Sequence, residues 1–373
     1  MGEAAPIRVA QVMGKMDGGG VESVVMNYYR GIGHENVQFD FIVDADSTLI
    51  PKAEIEALGG RVFTVPPYQK MISYHRELTS LFRRERYHIV HSHINTLSVF
   101  PLFAAKRAGV PVRIAHSHSR AGKGEFLRNV MKYTLRPFSR TFATHYCACA
   151  KHVGTWLFGS RAMKKGEVRV FYNAIDLAPF RFHEQTRAEV RRELGLSDEL
   201  VVGHVGRFVH VKNHKFLIEI FHELLKQRAD AVLLLVGDGP LRKESEMFAH
   251  QLGIADRVRF LGQRGDIGRL YQAMDLFLLP SFYEGLAVVC VEAQTADLPC
   301  LVSDKVSKET DILGSMDFFP LDACAKDWAD ELLRLLARSG ERKDCAERMR
   351  AAGYDIQCAA KELEEFYLAL SRT

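Results

Sequence analysis

The stretch PSFYEGL at residues 280–286, followed by a second carboxylate at Glu292, decides the fold. Residues 275–279 before it are apolar, which predicts a buried strand, and residues 286–296 contain no Gly or Pro, which predicts a helix. Glu284 then lies in the strand-to-helix turn. Because ligands of open α/β sheets bind beyond the carboxyl ends of strands, both carboxylates are candidates for a binding site, with two solvated surface acids as the alternative.

Short apolar segments alternate with helical segments along the chain, which predicts the α/β class with parallel sheets covered on both faces. The 373 residues exceed what a single core usually holds, so two doubly wound Rossmann-like domains facing across a cleft are expected. We place the N-terminal domain at residues 1–178 and the C-terminal domain at 179–354. The polar stretch 176–192 is the predicted linker, and a helix at 355–373 is expected to pack back on the first domain.

The composition, with 47% hydrophobic and 26% charged residues, is that of a globular enzyme. No run of about 18 apolar residues predicts a membrane span, and the N-terminus lacks a signal-peptide pattern. The seven cysteines form no Cys-x-x-Cys pair and are expected to be reduced thiols. These features predict a cytoplasmic protein, which could also bind peripherally at the inner face of the cell membrane.

Basic residues are concentrated between Arg61 and Arg140, where fifteen Lys or Arg face three acids, a net charge of +12. They alternate with apolar and aromatic residues, as at Arg136-Pro137-Phe138. Such a surface suits anionic lipid headgroups. Nucleic acid is not expected as a partner, because no nucleic-acid-binding motif accompanies the charge. The alternative is a basic surface that only contacts water.

Three consecutive glycines, Gly18 to Gly20, follow the first predicted strand and precede a helix. Glycines at a helix N-terminus let the backbone approach a phosphate or a sugar closely. Ser23 occupies the place of the third glycine in a Gly-x-Gly-x-x-Gly pattern, so a nicotinamide dinucleotide site is disfavoured. A flexible loop without a ligand is the alternative.

Two cations, Arg207 and Lys212, follow the first predicted strand of the second half. From a strand-end loop they would point towards the crevice that holds Glu284. Fixed positive charges there could neutralise a diphosphate and the charge that develops on a leaving nucleotide. A pair of exposed charges without a ligand is the alternative.

Four histidines lie at the ends of two neighbouring predicted strands of the first half: His91 and His93 at one, His116 and His118 at the other. Such a His could hydrogen-bond a sugar or orient an acceptor hydroxyl. They could also form a zinc site, but no carboxylate or cysteine partner is apparent. We therefore expect hydrogen-bonded histidines and no metal.

Taken in chain order, the motifs resemble the retaining glycosyltransferases of family 4, which have the GT-B fold. The resemblance covers most of the chain. The HSH segment at 116–118 and the residues SD at 303–304 with KE at 308–309 are closest to bacterial members that build capsule and exopolysaccharide repeat units. The motifs that carry it are GGG at 18–20 with Glu22, YNAID at 172–176, GRF at 206–208 with KN at 212–213, VGDGP at 236–240, FLG at 260–262, AMDL at 273–276, and PSFYEGL at 280–286 with VEA at 291–293 and LP at 298–299.

The resemblance implies a role for each matching residue. Glu284 would hold hydroxyls of the transferred sugar, and Glu292 would hold the ribose diol. Arg207 and Lys212 would bind the diphosphate. The remaining roles are as follows: the amides of Gly285 and Leu286 assist at the helix start, the backbone around Arg264 meets the base, Gly19 or Gly20 closes over the donor, and either His116 or His118 is the N-domain histidine.

The same resemblance implies a hexosyltransferase that retains anomeric configuration and needs no metal or cofactor. Its donor would be a nucleotide-diphosphate sugar, with UDP-sugar favoured and guanine or adenine left open. The acceptor would be a glycan or a polyprenyl-diphosphate-linked sugar used in cell-surface polysaccharide synthesis. Two alternatives are a sugar-nucleotide epimerase of the same fold and a non-catalytic GT-B partner subunit.

Overall fold

A computed structural model of the chain describes residues 5–119 and 126–372. The chain divides into two compact units: residues 1–174 with 355–373, and residues 175–354. The predicted boundary between residues 178 and 179 therefore falls inside the second unit. Among the described residues, no helix combines the length and apolarity that crossing a bilayer requires.

The first unit contains a seven-stranded parallel sheet of order β3-β2-β1-β4-β5-β6-β7. Its strands are β1 (Ile7–Gly14), β2 (Val37–Asp44), β3 (Arg61–Val65), β4 (Ile89–Ser92), β5 (Val112–Ser117), β6 (His145–Ala148) and β7 (Val168–Val170). Every residue of β2 is buried, as expected for a strand inside a parallel sheet that helices cover on both faces.

The helices of this unit connect successive strands and cover the sheet. They are α1 (Gly20–Gly31), α2 (Lys52–Ala57), α3 (Met71–Glu85), α4 (Val99–Ala108), α5 (Phe126–Leu135), α6 (Lys151–Phe158) and α7 (Ser160–Lys164). The helix at the C-terminal end of the chain (Ile356–Leu370) also belongs to this unit and packs against α1 and β2. Its Tyr367 is fully buried, and Gln11 Nε2 of β1 donates to its hydroxyl at 3.1 Å.

The second unit contains a six-stranded parallel sheet of order β10-β9-β8-β11-β12-β13. Its strands are β8 (Val201–Val205), β9 (Val232–Val236), β10 (Val258–Gly262), β11 (Leu276–Leu279), β12 (Cys300–Ser303) and β13 (Met316–Phe319). Its helices are α8 (Glu184–Glu193), α9 (His214–Leu225), α10 (Arg242–Gln251), α11 (Ile267–Ala273), α12 (Val288–Thr295), α13 (Ala325–Arg338) and α14 (Ala346–Ala351); the C-terminal helix of the chain is α15. Buried apolar residues form one core on each face of this sheet.

Strand order reverses direction in both sheets. The first strand of each unit lies inside its sheet, beside the second strand on one side and the fourth on the other. The connections leaving β8 and β11 therefore run to opposite sides, and a crevice opens between them at the carboxyl edge. Ligands of doubly wound sheets bind at this position.

The predicted linker at 176–192 is wrong. This stretch contains a short 3-10 helix at Ala178–Phe180 and most of α8, and it is packed into the second unit. Arg191 of α8 is buried and donates to the carbonyls of Ser197 and Glu199, at 2.6 Å and 2.7 Å. The charged residues of this stretch suggested a solvated linker, but Arg191 instead binds α8 to the segment that leads into β8.

Candidate functional site

The centre of the candidate site is an ion pair between the loops that follow β8 and β11. Lys212 Nζ donates to Glu284 Oε1 at 2.7 Å, and each side chain is only 15% exposed. Ser281 Oγ donates to the same carboxylate oxygen at 3.0 Å. The predicted cation and the predicted sugar-binding acid are therefore in contact at the point where the strand order reverses.

Direct contacts between the two loops fix this arrangement. The Phe282 amide donates to the Val211 carbonyl at 2.9 Å, and Asn213 Nδ2 donates to the Pro280 carbonyl at 3.1 Å. The rings of His210 and Phe282 stack with centroids 4.7 Å apart. The loops are thus held together before any ligand binds, which lowers the entropy cost of ordering them.

Two glycines after β9, Gly237 and Gly239, let the backbone of the loop after β9 lie close to the backbone of the loop after β8. A Cβ on Gly237 would lie 2.2 Å from the Gly206 carbonyl oxygen, and one on Gly239 would lie 2.7 Å from the Phe208 carbonyl oxygen. Their φ angles of +136° and +153° also disfavour other residues. The VGDGP motif therefore supports the loop that carries Arg207 and Lys212.

Arg207, the second predicted cation, has an exposed side chain in the same loop. It forms no ion pair with residues 5–119 or 126–372. Lys212, by contrast, is mostly buried, and Glu284 partly neutralises its charge. The site thus holds one paired cation and one that faces solvent at its edge.

Glu292, on α12, is held by Tyr271 of α11. Tyr271 Oη lies 2.9 Å from Glu292 Oε2, within donating distance. Burial raises the pKa of Glu292 to about 7, although the hydrogen bond from Tyr271 and the charge of Lys212 act in the opposite direction. Such a carboxylate is unfavourable for stability near neutral pH, which is typical of residues kept for binding or catalysis.

The other predicted donor contacts lie at neighbouring strand ends. Gly285 and Leu286 come just before α12, whose N-cap is Ala287. Arg264 follows β10, and its guanidinium donates to Asp266 at 2.6 Å and 2.7 Å. All three lie in connections that leave the carboxyl edge of the same sheet.

In the first unit, the backbone amides of the glycine loop bind the carboxylate of a nearby side chain, Glu22. The amides of Gly18 and Gly19 donate to Glu22 Oε2 at 2.6 Å and 2.9 Å, and the Asp17 amide donates to Oε1 at 3.1 Å. Glu22 lies in the first turn of α1, where a carboxylate also interacts favourably with the helix dipole. Gly19 is therefore engaged within its own loop, while Gly20 begins the helix.

The four histidines form a buried cluster. His91 Nε2 lies 3.0 Å from His116 Nδ1, and His93 Nδ1 lies 2.9 Å from His118 Nε2. Gln11 and Tyr367 bind the far nitrogens of His93 and His91, at 2.8 Å and 2.6 Å respectively. The two predicted catalytic histidines, His116 and His118, thus have their rings in the interior of the first unit.

Three of these rings could also approach a metal, since the ligand atoms of His91, His93 and His116 lie within 4.8 Å of one another. Hydrogen bonds already occupy both nitrogens of His91 and of His93. His116 Nε2 and His118 Nδ1 are buried and have no hydrogen-bond partner among the described residues, so the absence of a metal stays a prediction.

Sequence reasoning missed three residues of this arrangement. Ser281 was within the quoted motif but was given no role. Tyr271 lies in an apolar stretch that predicts only core, and its hydroxyl points to Glu292 because α11 packs beside α12. Glu22 was named with the glycine loop but was also given no role, although an acid three residues after Gly19 can bond back to the amides at a helix start.

Two family models together match most of the chain. "Glycosyltransferase Family 4" matches residues 18–179, and "Glycosyl transferases group 1" matches residues 186–352. A Bacillus subtilis protein whose name describes it as a glycosyltransferase, EpsF, is 36% identical over 358 residues, covering 94% of this chain and 93% of its own. An Escherichia coli relative named UDP-Gal:alpha-D-GlcNAc-diphosphoundecaprenol alpha-1,3-galactosyltransferase is 25% identical over 372 residues, covering 94% and 93% respectively.

Solved structures agree with the fold. Anabaena HepE in complex with UDP has a TM-score of 0.76 at 19% identity, covering 98% of this chain and 100% of its own. WaaG, a glycosyltransferase involved in lipopolysaccharide biosynthesis, has a TM-score of 0.74 at 16% identity, covering 96% and 99%. The two Rossmann-like units define a GT-B protein, as predicted. The chain belongs to glycosyltransferase family 4, and it is a glycosyltransferase.

The raised pKa of Glu292 predicts how its replacement affects stability. Between its unfolded value near 4.5 and its folded value near 7, the folded state binds more protons, so the charged carboxylate costs stability at higher pH. Glu292→Gln is expected to raise the free energy of unfolding, and more at pH 8 than at pH 5. Urea unfolding measures this, with Glu244→Gln on the exposed face of α10 as the control. Equal effects of both substitutions at pH 8 would contradict the assignment.

The buried histidines predict loss of stability in acid. Burial lowers the pKa of His91 and His118 to about 3, while unfolded histidines titrate near 6.5. Below pH 6.5 the unfolded state therefore binds more protons, and the free energy of unfolding falls by at most about 1.4 kcal/mol per pH unit for each such group. Urea unfolding between pH 7.5 and 5 should show a shallower loss for His91→Gln than for the exposed control His250→Gln. Parallel pH profiles for the two variants would argue against neutral buried rings.

Proposed function

We propose that this glycosyltransferase moves a hexose from a nucleotide-diphosphate sugar, with UDP-sugar favoured, to a glycan or a polyprenyl-diphosphate-linked sugar in cell-surface polysaccharide synthesis. The name of the E. coli relative, which contains both UDP-Gal and a diphosphoundecaprenol-linked GlcNAc, supports this pairing of donor and acceptor. The HepE structures with UDP and with UDP-glucose support the donor class.

The observation that carries the proposal is the contact between Lys212 and Glu284 at the reversal of strand order. A sugar diphosphate presents hydroxyls and negative charge a few ångströms apart, and this site offers an acid beside a cation. Glu284 would accept hydrogen bonds from sugar hydroxyls. Lys212 and Arg207 would bind the diphosphate, with the start of α12 adding the partial positive charge of a helix N-terminus. Glu292 would accept from the ribose hydroxyls.

The reaction would retain the anomeric configuration through attack on the face from which the diphosphate leaves. The bond between the anomeric carbon and the phosphate oxygen breaks, and that oxygen takes the proton of the acceptor hydroxyl. The acceptor oxygen forms the new bond to the anomeric carbon, and a nucleoside diphosphate is released. The protein then contributes orientation and stabilisation of the leaving charge.

Two side-chain cations can neutralise the leaving group, so we propose that the transfer needs no divalent metal. Lys212→Ala should lower turnover by roughly 10²-fold or more, the scale of removing one charge-stabilising group. Turnover in the presence of EDTA should equal that without it. Steady-state assays with a nucleotide sugar and a diphosphopolyprenol-linked sugar measure both effects.

Lys215, three residues further along on the exposed face of α9, provides the matched control. Lys215→Ala is expected to keep wild-type turnover. Wild-type turnover in Lys212→Ala, with its fold verified by its melting temperature, would refute the role of this cation; loss of activity in EDTA that Mg²⁺ restores would refute metal independence.

We also propose that the basic region 61–140 places the enzyme on an anionic membrane surface. Its members Arg120 and Lys123 lie outside the described residues. Around α5 the surface combines charge with exposed apolar groups, since Tyr133 and Phe138 are more than half exposed. Arg136 lies over the Trp156 ring at 5.5 Å. Aromatic rings beside basic side chains suit the interface between headgroups and acyl chains.

Sedimentation with lipid vesicles tests this surface. Binding to vesicles that contain phosphatidylglycerol should exceed binding to pure phosphatidylcholine and should weaken with added salt. The double variant Tyr133→Ala/Phe138→Ala should bind several-fold more weakly. Met247→Ala removes an exposed apolar side chain from the second unit and serves as the control. Binding that depends neither on anionic lipid nor on salt would be evidence against the proposal.

A further inference from the structure

One polar side chain, that of His204, is buried in the otherwise apolar strand β8, and the mechanism above does not use it. His204 is 0% exposed, and its Nδ1 lies 2.8 Å from the carbonyl oxygen of Leu278 in the neighbouring strand β11. Because a carbonyl oxygen only accepts, Nδ1 carries the hydrogen of the ring. Burial lowers the pKa of His204 well below its ordinary value, so the ring is neutral.

The other ring nitrogen of His204 therefore presents a lone pair inside the second unit. This atom, Nε2, is buried and has no hydrogen-bond partner within residues 5–119 and 126–372. The rings of Phe277 and His214 pack against the imidazole, with centroids 6.2 Å and 4.9 Å away, and together with the bond to Leu278 they fix its orientation. A buried acceptor without a partner costs free energy, so its retention at a fixed place needs an explanation.

This lone pair lies beside the side chain of Lys212. A Cβ on Gly206 would lie 3.0 Å from His204 Nε2, 3.2 Å from Lys212 Cε and 3.3 Å from Lys212 Cδ. The imidazole nitrogen and the end of the lysine side chain therefore border the same small gap, which exists because residue 206 has no side chain. Lys212 Nζ donates to Glu284 Oε1, and an ammonium group has three hydrogens, so it can also donate to an acceptor on its other side.

A neutral acceptor suits a lysine that binds a diphosphate better than a carboxylate does. Glu284 partly cancels the positive charge of Lys212, and in the proposed function it also accepts hydrogen bonds from sugar hydroxyls. The imidazole of His204 can hold the ammonium in place through a hydrogen bond and leave its full charge for the phosphate oxygens. The site thus offers Lys212 one charged partner and, across the gap at Gly206, one uncharged partner.

We propose that His204 is a positioning residue for Lys212. When a nucleotide-diphosphate sugar binds, Glu284 accepts from the sugar, and Lys212 turns about its Cδ–Cε bond so that Nζ donates both to His204 Nε2 and to the diphosphate. The proposal rests on the function proposed above and adds the group that orients its cation. A histidine fits this position because one ring nitrogen is anchored to Leu278 while the other faces the lysine.

Two substitutions separate the roles of the two ring nitrogens. In His204→Asn the side-chain amide takes the place of Nδ1 and can donate to Leu278, but no acceptor remains at the position of Nε2. In His204→Gln the longer side chain places its amide oxygen near the position of Nε2, and the bond to Leu278 is lost.

Calorimetric binding of UDP, GDP and ADP to the full-length enzyme measures the effect of each substitution. For the nucleotide that the wild type binds, His204→Asn should raise Kd about 10-fold or more, the scale of losing a hydrogen bond to a charged group. His204→Gln should bind nearly as tightly as the wild type although its melting temperature falls. A purely structural role predicts the opposite order of Kd values. His250→Asn, on the exposed face of α10, is the control and should leave Kd unchanged.

A double-mutant cycle tests whether His204 acts through Lys212. In the Lys212→Ala background, His204→Asn should raise Kd no further, because the cation that it orients is absent. Gly206→Ala, which fills the gap between the two side chains, should weaken binding about as much as His204→Asn and serves as a second variant.

Three results would overturn the role of His204: a wild-type Kd in His204→Asn, an equal effect of this substitution with and without Lys212, or a larger loss in His214→Asn, which removes the neighbouring buried imidazole. A wild type that binds none of the three nucleotides would contradict the proposed donor class and this role with it. A wild type that binds one of them but transfers no sugar would count against the proposed function and leave the role of His204 standing, since binding alone measures it.

Discussion

The reversal of strand order between β8 and β11 is the constraint on which the candidate site depends. It sends the two connections to opposite faces of the sheet and leaves their first residues side by side. Lys212 and Glu284 meet there at 2.7 Å, 72 residues apart in the chain. Partial burial strengthens this pair relative to one on an open surface, since the surrounding protein screens charge less than water does.

Charged groups inside the two units fall into two kinds. Asp40 and Arg191 have several hydrogen-bond partners each. The bonds of Asp40 join β2 to β1 and β3, and those of Arg191 hold α8 against the segment before β8. Glu292 is half-buried with Tyr271 as its hydrogen-bond partner, and burial raises its pKa. The first kind stabilises the fold, whereas a carboxylate of the second kind costs stability near neutral pH, as is typical of residues at binding or catalytic sites.

Much of the architecture could be predicted from the sequence, because apolar strands and amphipathic helices alternate with loops at regular intervals. The loops with Arg207, Lys212 and Glu284 were assigned to one sheet edge for the same reason. The helical character of residues 184–193 was missed, since their charges resemble those of a linker until the carbonyls that accept from Arg191 are known. The sequence pattern also could not predict that the His116 and His118 rings are buried. Their burial depends on which side chains from β4 and its following loop pack beside β5.

The sequence by itself determined the fold class, the strand-end loops and the residue types that a sugar diphosphate requires, since these follow from local periodicity and short motifs. Only the tertiary structure decided which of those residues touch. In the structure Glu284 contacts Lys212, Tyr271 donates to Glu292, and Glu22 accepts from the amides of the glycine loop. Each outcome depends on how helices far apart in the chain pack on a common sheet, and the energy of a charged group depends on the neighbours that packing brings.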